Sequence, residues 1–95
     1  MHDEKKEHGE NFVEVAVVTT SGTFPHEGFS KVPIHQKVRI FLAEAARELN
    51  ITNYTDWIAM VDNREIDIEK NYEENRLSSQ VEIDFGPHEG GGGNA

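Results

Sequence analysis

Four consecutive glycines, Gly90, Gly91, Gly92 and Gly93, are the residues of this chain best suited to chemistry. Without side chains, backbone there can extend in any direction and thread a narrow channel, and an enzyme can approach the carbonyl under attack. The chemistry that fits is done to the chain by other proteins, at a carbonyl or a carboxylate. Asn94 and Ala95 come after the run, so a glycine carboxylate exists only after a hydrolase removes the residues beyond it. Four successive glycines leave the cut site open; Gly93 is chosen only because it discards the fewest residues, and the alternatives are that the terminal Ala95 is used or that no end is. The plain alternative is that the run is an inert linker.

Other reactive groups are scattered. His2, His8, His26, His35 and His88 show no ligand spacing such as HExxH, so no metal site is expected. His26 and Glu27 read as turn residues rather than an acid/base pair. The chain contains no cysteine, which excludes a disulfide framework, thiol catalysis and zinc ribbons. No catalytic residue and no cofactor is expected. The acidic residues between 62 and 74 read as a solvated rim able to steer a basic partner.

The chain that must position these residues has 95 of them, 18 acidic and 9 basic, for a formal net charge of −9. At 36% hydrophobic it can bury one modest core but not a core plus a deep substrate cavity, so an elaborate enzyme is not expected. The charge opposes binding to a phosphate backbone, which argues against nucleic acid. The longest apolar run, Trp57 to Val61, is far short of the roughly 20 residues that span a membrane. Residues 1–10 are charged and unlike a signal peptide. No membrane association and a cytoplasmic location are therefore expected.

The pattern along the chain predicts one domain over 11–86, between a flexible leader over 1–10 and a flexible glycine-rich tail over 87–95. From Phe12 to Thr20, Val13, Val15 and Val17 alternate with Phe12, Glu14, Ala16 and Val18, as in a strand. Two glycines and two prolines in TSGTFPHEGFSKVP suit an enlarged turn leading to a second strand near Phe29 to Val32. Between about Gln36 and Asn50, Val38, Phe41, Leu42, Ala45, Ala46 and Leu49 recur at helical spacing, with Ile40 opposite the stripe. Asn50 is a suitable stop, whereas no side chain offers an obvious N-cap. Trp57 to Val61 and the stretch reaching Ile66 and Ile68 form a hairpin around Asp62-Asn63-Arg64-Glu65. The segment IEKNYEENRL reads as an excursion with one helical turn, ended by a left-handed Asn75, before Leu77 returns to the core. In the last strand Val81, Ile83 and Phe85 alternate with Glu82 and Asp84.

Alternation also proposes a surface. If Val13, Val15, Val17, Trp57, Ala59 and Val61 face the helix, then Phe12, Ala16, Val18, Ile58 and Met60 face away and form an exposed apolar patch suited to a partner. A phase error of one residue would bury them instead.

The element order requires one helix on one face of a mixed sheet of four to five strands, the α+β β-grasp arrangement. In that order the valine-rich first strand, the helix VRIFLAEAAREL, the hairpin WIAMVDNREI, the excursion YEENRL and the strand VEIDF resemble the ubiquitin-like family from about Phe12 to Gly93. The segments GPHEGGGG and TTSGTFPHEGF look like those of small bacterial ubiquitin-like proteins from operons that also encode activating enzymes, conjugating enzymes and JAB-type proteases. The resemblance implies a protein modifier whose terminal glycine is adenylated by an ATP-using activating enzyme. Transfer to a conjugating enzyme and then to unknown target proteins comes next, after trimming by a JAB-type protease. It places Met60 at the centre of the recognition patch and implies a monomer when free. Pro87, His88 and Glu89 stand where eukaryotic ubiquitin tends to carry arginine, so a eukaryotic activating enzyme is not expected to read this tail. Two alternatives share the fold: a sulfur carrier bearing a terminal thiocarboxylate, and an interaction module with an inert tail.

Overall fold

A computed structural model describes residues 11–87 of the chain. Among these residues six strands and one helix run in the order β1 (Phe12–Thr19), β2 (Gly22–Phe24), β3 (Ser30–Pro33), α1 (Val38–Glu48), β4 (Trp57–Val61), β5 (Arg64–Glu65) and β6 (Gln80–Pro87). All strands join one mixed sheet. β6 lies at its middle, parallel to β1 on one side and antiparallel to β4 on the other. β5 extends the sheet beyond β4.

The sheet has six strands where four to five were expected, because the second strand divides. β3 pairs with Phe12 to Val15 and β2 with Val17 to Thr19, so both occupy the same edge of β1, separated by the excursion over 25–29. β5 adds a two-residue strand. β6 also runs on to Pro87, two residues past the expected strand end.

The alternation read in the sequence matches the burial. Val13, Val15 and Val17 of β1, Val81, Ile83 and Phe85 of β6, and Ala59 and Val61 of β4 are buried together with Val38, Phe41, Leu42 and Ala45 of α1. The helix thus covers one face of the sheet, which gives the α+β β-grasp architecture. Ile40, opposite the helical stripe, is exposed. Among the described residues no helix is long and apolar enough to cross a membrane.

Local chemistry sets the element ends. Lys37 makes no side-chain cap; instead the Val38 and Arg39 N–H groups donate to the carbonyls of Lys70 and Ile68 at 3.0 Å each. The excursion's backbone therefore satisfies donors that a capping side chain would otherwise take. At the other end Asn50 has φ 61°, with Ile51 N–H donating to the Ala46 carbonyl and Asn50 N–H to that of Arg47. This is a left-handed stop of the Schellman type. Asp62 and Asn63, at φ 53° and 66°, form the two-residue turn between β4 and β5.

The excursion corrects one expectation. Arg76, not Asn75, takes the left-handed conformation, with φ 63°. Asn75 is buried, and its side chain is fully engaged with backbone. The Asp67 N–H donates to its Oδ1 at 2.9 Å, while its Nδ2 donates to the carbonyls of Asp67 at 2.8 Å and Asn71 at 2.9 Å. An amide offers donors and an acceptor together, which suits it to tying two loop strands and leaves the turn to its neighbour.

Candidate functional site

The face of the sheet away from α1 carries the expected surface residues. Val18, Ile58 and Met60 are half-buried there and line a groove of about 370 Å³ with Thr19, Thr20, Asp84, Phe85, Gly86 and Pro87. Strand register explains the grouping. Asp84 of β6 lies opposite Val18 on β1 and opposite Met60 on β4, while Ile58 lies opposite Gly86. Directly opposed residues of a sheet share a face, with Cβ atoms roughly 4.5–5.5 Å apart. The first, central and fourth strands thus bring together side chains remote in sequence.

Two members of the expected patch are not in this groove. Phe12 is 40% exposed, but it lies six residues from Val18 along β1, about 20 Å away in an extended strand, and its ring faces Lys31 Nζ at 5.5 Å. Ala16 is only 3% exposed rather than part of an open patch. Its methyl group points outward by alternation, yet it does not reach past the longer side chains beside it, Glu14 and Val18 along β1 and Glu82 across on β6. Trp57 packs against the core on the helix side, as expected, lining a cleft with Leu42 and Ala43, and is half-buried at the sheet's end.

The groove ends where the described chain leaves the sheet. Trp57 packs edge-to-face on Phe85 with ring centroids 5.1 Å apart, and Tyr54 stands 5.9 Å from Phe85, so an aromatic cluster fixes β4 and β6 at this end. Gly90, Gly91, Gly92 and Gly93 lie outside the described residues, as do the leader and the tail from residue 88 onward. In sequence, Gly90 comes three residues after Pro87.

The sequence reading missed Asp84 as a member of the site. Its alternation in VEIDF put it on the wet face, but its place between Val18 and Met60 depends on the parallel pairing of β1 with β6. The acidic rim over 62–74 is partly engaged within the chain. Glu69 pairs with Arg39 at 3.2 Å, and His35 Nε2 meets Glu73 Oε1 at 2.7 Å. Among the described residues no group of three or more metal-ligating side chains lies together.

No protein-family model matches the chain, and no curated protein matches it in sequence. Solved structures do match its shape. A chain from a structure concerned with molecular mimicry of SUMO in DNA repair aligns with TM-score 0.67 at 8% identity, covering 85% of this chain and 98% of that one. A designed protein based on ubiquitin gives TM-score 0.64 at 15% identity, covering 88% and 98%. The ubiquitin-like domain of an Arabidopsis thaliana protein gives 0.62 at 17% identity, covering 92% and 88%. The fold is therefore ubiquitin-like.

Proposed function

We propose that this chain is a ubiquitin-like protein modifier, trimmed to a glycine terminus, adenylated there by an ATP-using activating enzyme, passed to a conjugating enzyme and joined to target proteins. The carrying observation is positional: β6 closes the β-grasp sheet at Pro87, and the glycine run begins three residues later. A folded body for docking thus precedes a side-chain-free end that can enter a narrow site. Catalysis belongs to the partners, including a JAB-type protease that removes the residues beyond the mature terminus. Bacterial operon partners and a cytoplasmic location belong to this reading.

Forms ending at Gly93 and at Gly86 test it. With a cognate activating enzyme and ATP, the Gly93 form should support adenylate formation, whereas the Gly86 form should bind without reacting. Full-length protein should require the protease first. Equal activation of all three would overturn the reading. A mass gain equal to exchanging one oxygen for sulfur at the terminus would identify a sulfur carrier.

The groove around Ile58 and Met60 favours a second reading, an interaction module whose tail is inert. In that case deleting the glycine run would leave function intact.

A further inference from the structure

The groove combines apolar walls with a charge at its centre. Across the sheet the register reads Val18, Asp84, Met60, Glu65, since Asp84 opposes both Val18 and Met60, and Met60 opposes Glu65. Glu82 occupies the next outward position of β6 beside Asp84. Asp84, Glu82 and Glu65 are all exposed. Arg64, next to Glu65, is turned elsewhere, its Nη2 donating to the Asn75 carbonyl at 3.2 Å, and Lys31 lies at the far end of β1, opposite Glu14 and over the Phe12 ring. Among the described residues Asp84 makes no ion pair.

A partner that covers Val18 and Met60 must also cover Asp84 between them. An all-apolar partner would bury a carboxylate without compensation, which is strongly unfavourable. A second copy of this chain, docked by the same face about a twofold axis, would bring like carboxylates together. Phosphate-bearing surfaces meet the same repulsion. A guanidinium between aliphatic side chains satisfies both features, because arginine can hold a carboxylate in bidentate fashion while the flanking side chains fill the groove. Exclusion of water by those neighbours strengthens the pair.

We infer that the groove of Val18, Ile58, Met60 and Asp84 docks a partner-protein segment that presents an arginine flanked by aliphatic side chains. This deepens the partner surface of the proposed modifier. Because Gly86 and Pro87 form one end of the groove, the docked partner sits beside the start of the tail.

The test uses the full chain, labelled with ¹⁵N, and does not involve tail chemistry, so its failure and that of the activation reading are separable. The probe is a synthetic peptide with one arginine between leucines; a twin carries glutamate in place of the arginine. Amide shifts should centre on Val18, Ile58, Met60 and Asp84, and the glutamate twin should not bind. Asp84→Asn should weaken binding about tenfold, whereas Glu48→Gln, which removes the same charge from the end of α1, should change it less than about twofold. Both variants should retain the dispersed spectrum of the parent. Equal weakening by the two variants would mean diffuse attraction to an acidic protein and would overturn the inference. Shifts centred on the rim over 62–74, binding of the glutamate twin, or concentration-dependent shifts at the groove without peptide would each do the same.

Discussion

Tyr72 is fully buried, and its hydroxyl has no hydrogen-bond partner among the described residues. Burial holds its phenol well above the ordinary tyrosine range. A raised folded-state value means that stability is retained below about pH 10, where the unfolded chain's tyrosine ionises, and falls as pH rises beyond it. Tyr72→Phe should therefore raise stability at neutral pH by about 1 kcal/mol, because an unpaired buried hydroxyl is removed. The same change should reduce the alkaline loss; urea unfolding at neutral pH and at about pH 11 checks both. Asn75 has the opposite character, with its amide engaged on both atoms. Asn75→Ala should cost about 2–3 kcal/mol by orphaning the backbone groups it serves, as read by the same unfolding measurement. Neither role was legible from residue type, since an asparagine in a polar excursion suits a left-handed turn as readily as a buried tie. Only the folded path shows that Arg76 takes the turn.

The helix was legible because its apolar stripe is local and has a period of its own. Its start was less so, because the groups that meet the Val38 and Arg39 N–H bonds come from Lys70 and Ile68, some thirty residues away. Phe41 lies 4% exposed against the core and 5.5 Å, centroid to centroid, from Phe24. Phe41→Ala should cost about 3–5 kcal/mol, and a mild loss on chemical unfolding would contradict the helix phase. For the strands, alternation identified the buried faces, whereas pairing of the first strand with the last leaves no local signature. That register has its own test. Met60 faces Asp84 across the strands, so Met60→Asp should be less stable than Met60→Lys by about 0.5–1 kcal/mol. The difference should shrink when Asp84→Asn is added, the remainder coming from Glu65, which opposes Met60 on its other side. If Asp84→Asn leaves the difference unchanged, the two side chains are not neighbours.

In the whole molecule, a β-grasp body precedes a glycine end that is proposed to be reactive. The body was legible because hairpin, helix, hairpin, excursion and final strand admit few other ways to bury one helix on one sheet. The groove was legible in part: alternation found Val18, Ile58 and Met60, but strand length separated Phe12 from them and pairing added Asp84. The glycine run was legible only as sequence, and its chemistry must be read in a covalent product. Trypsin cuts after Arg76, and the sequence from Leu77 to Gly93 contains no further lysine or arginine. A conjugate formed with the trimming protease and the activating and conjugating enzymes present should therefore yield, by mass spectrometry, a branched peptide with the segment beginning at Leu77 joined through a glycine between 90 and 93 to a nucleophilic side chain of the target. Recovery of that segment solely as an unbranched peptide, in reactions where the protease has already removed the residues beyond the glycine run and the activating enzyme is consuming ATP, would contradict it.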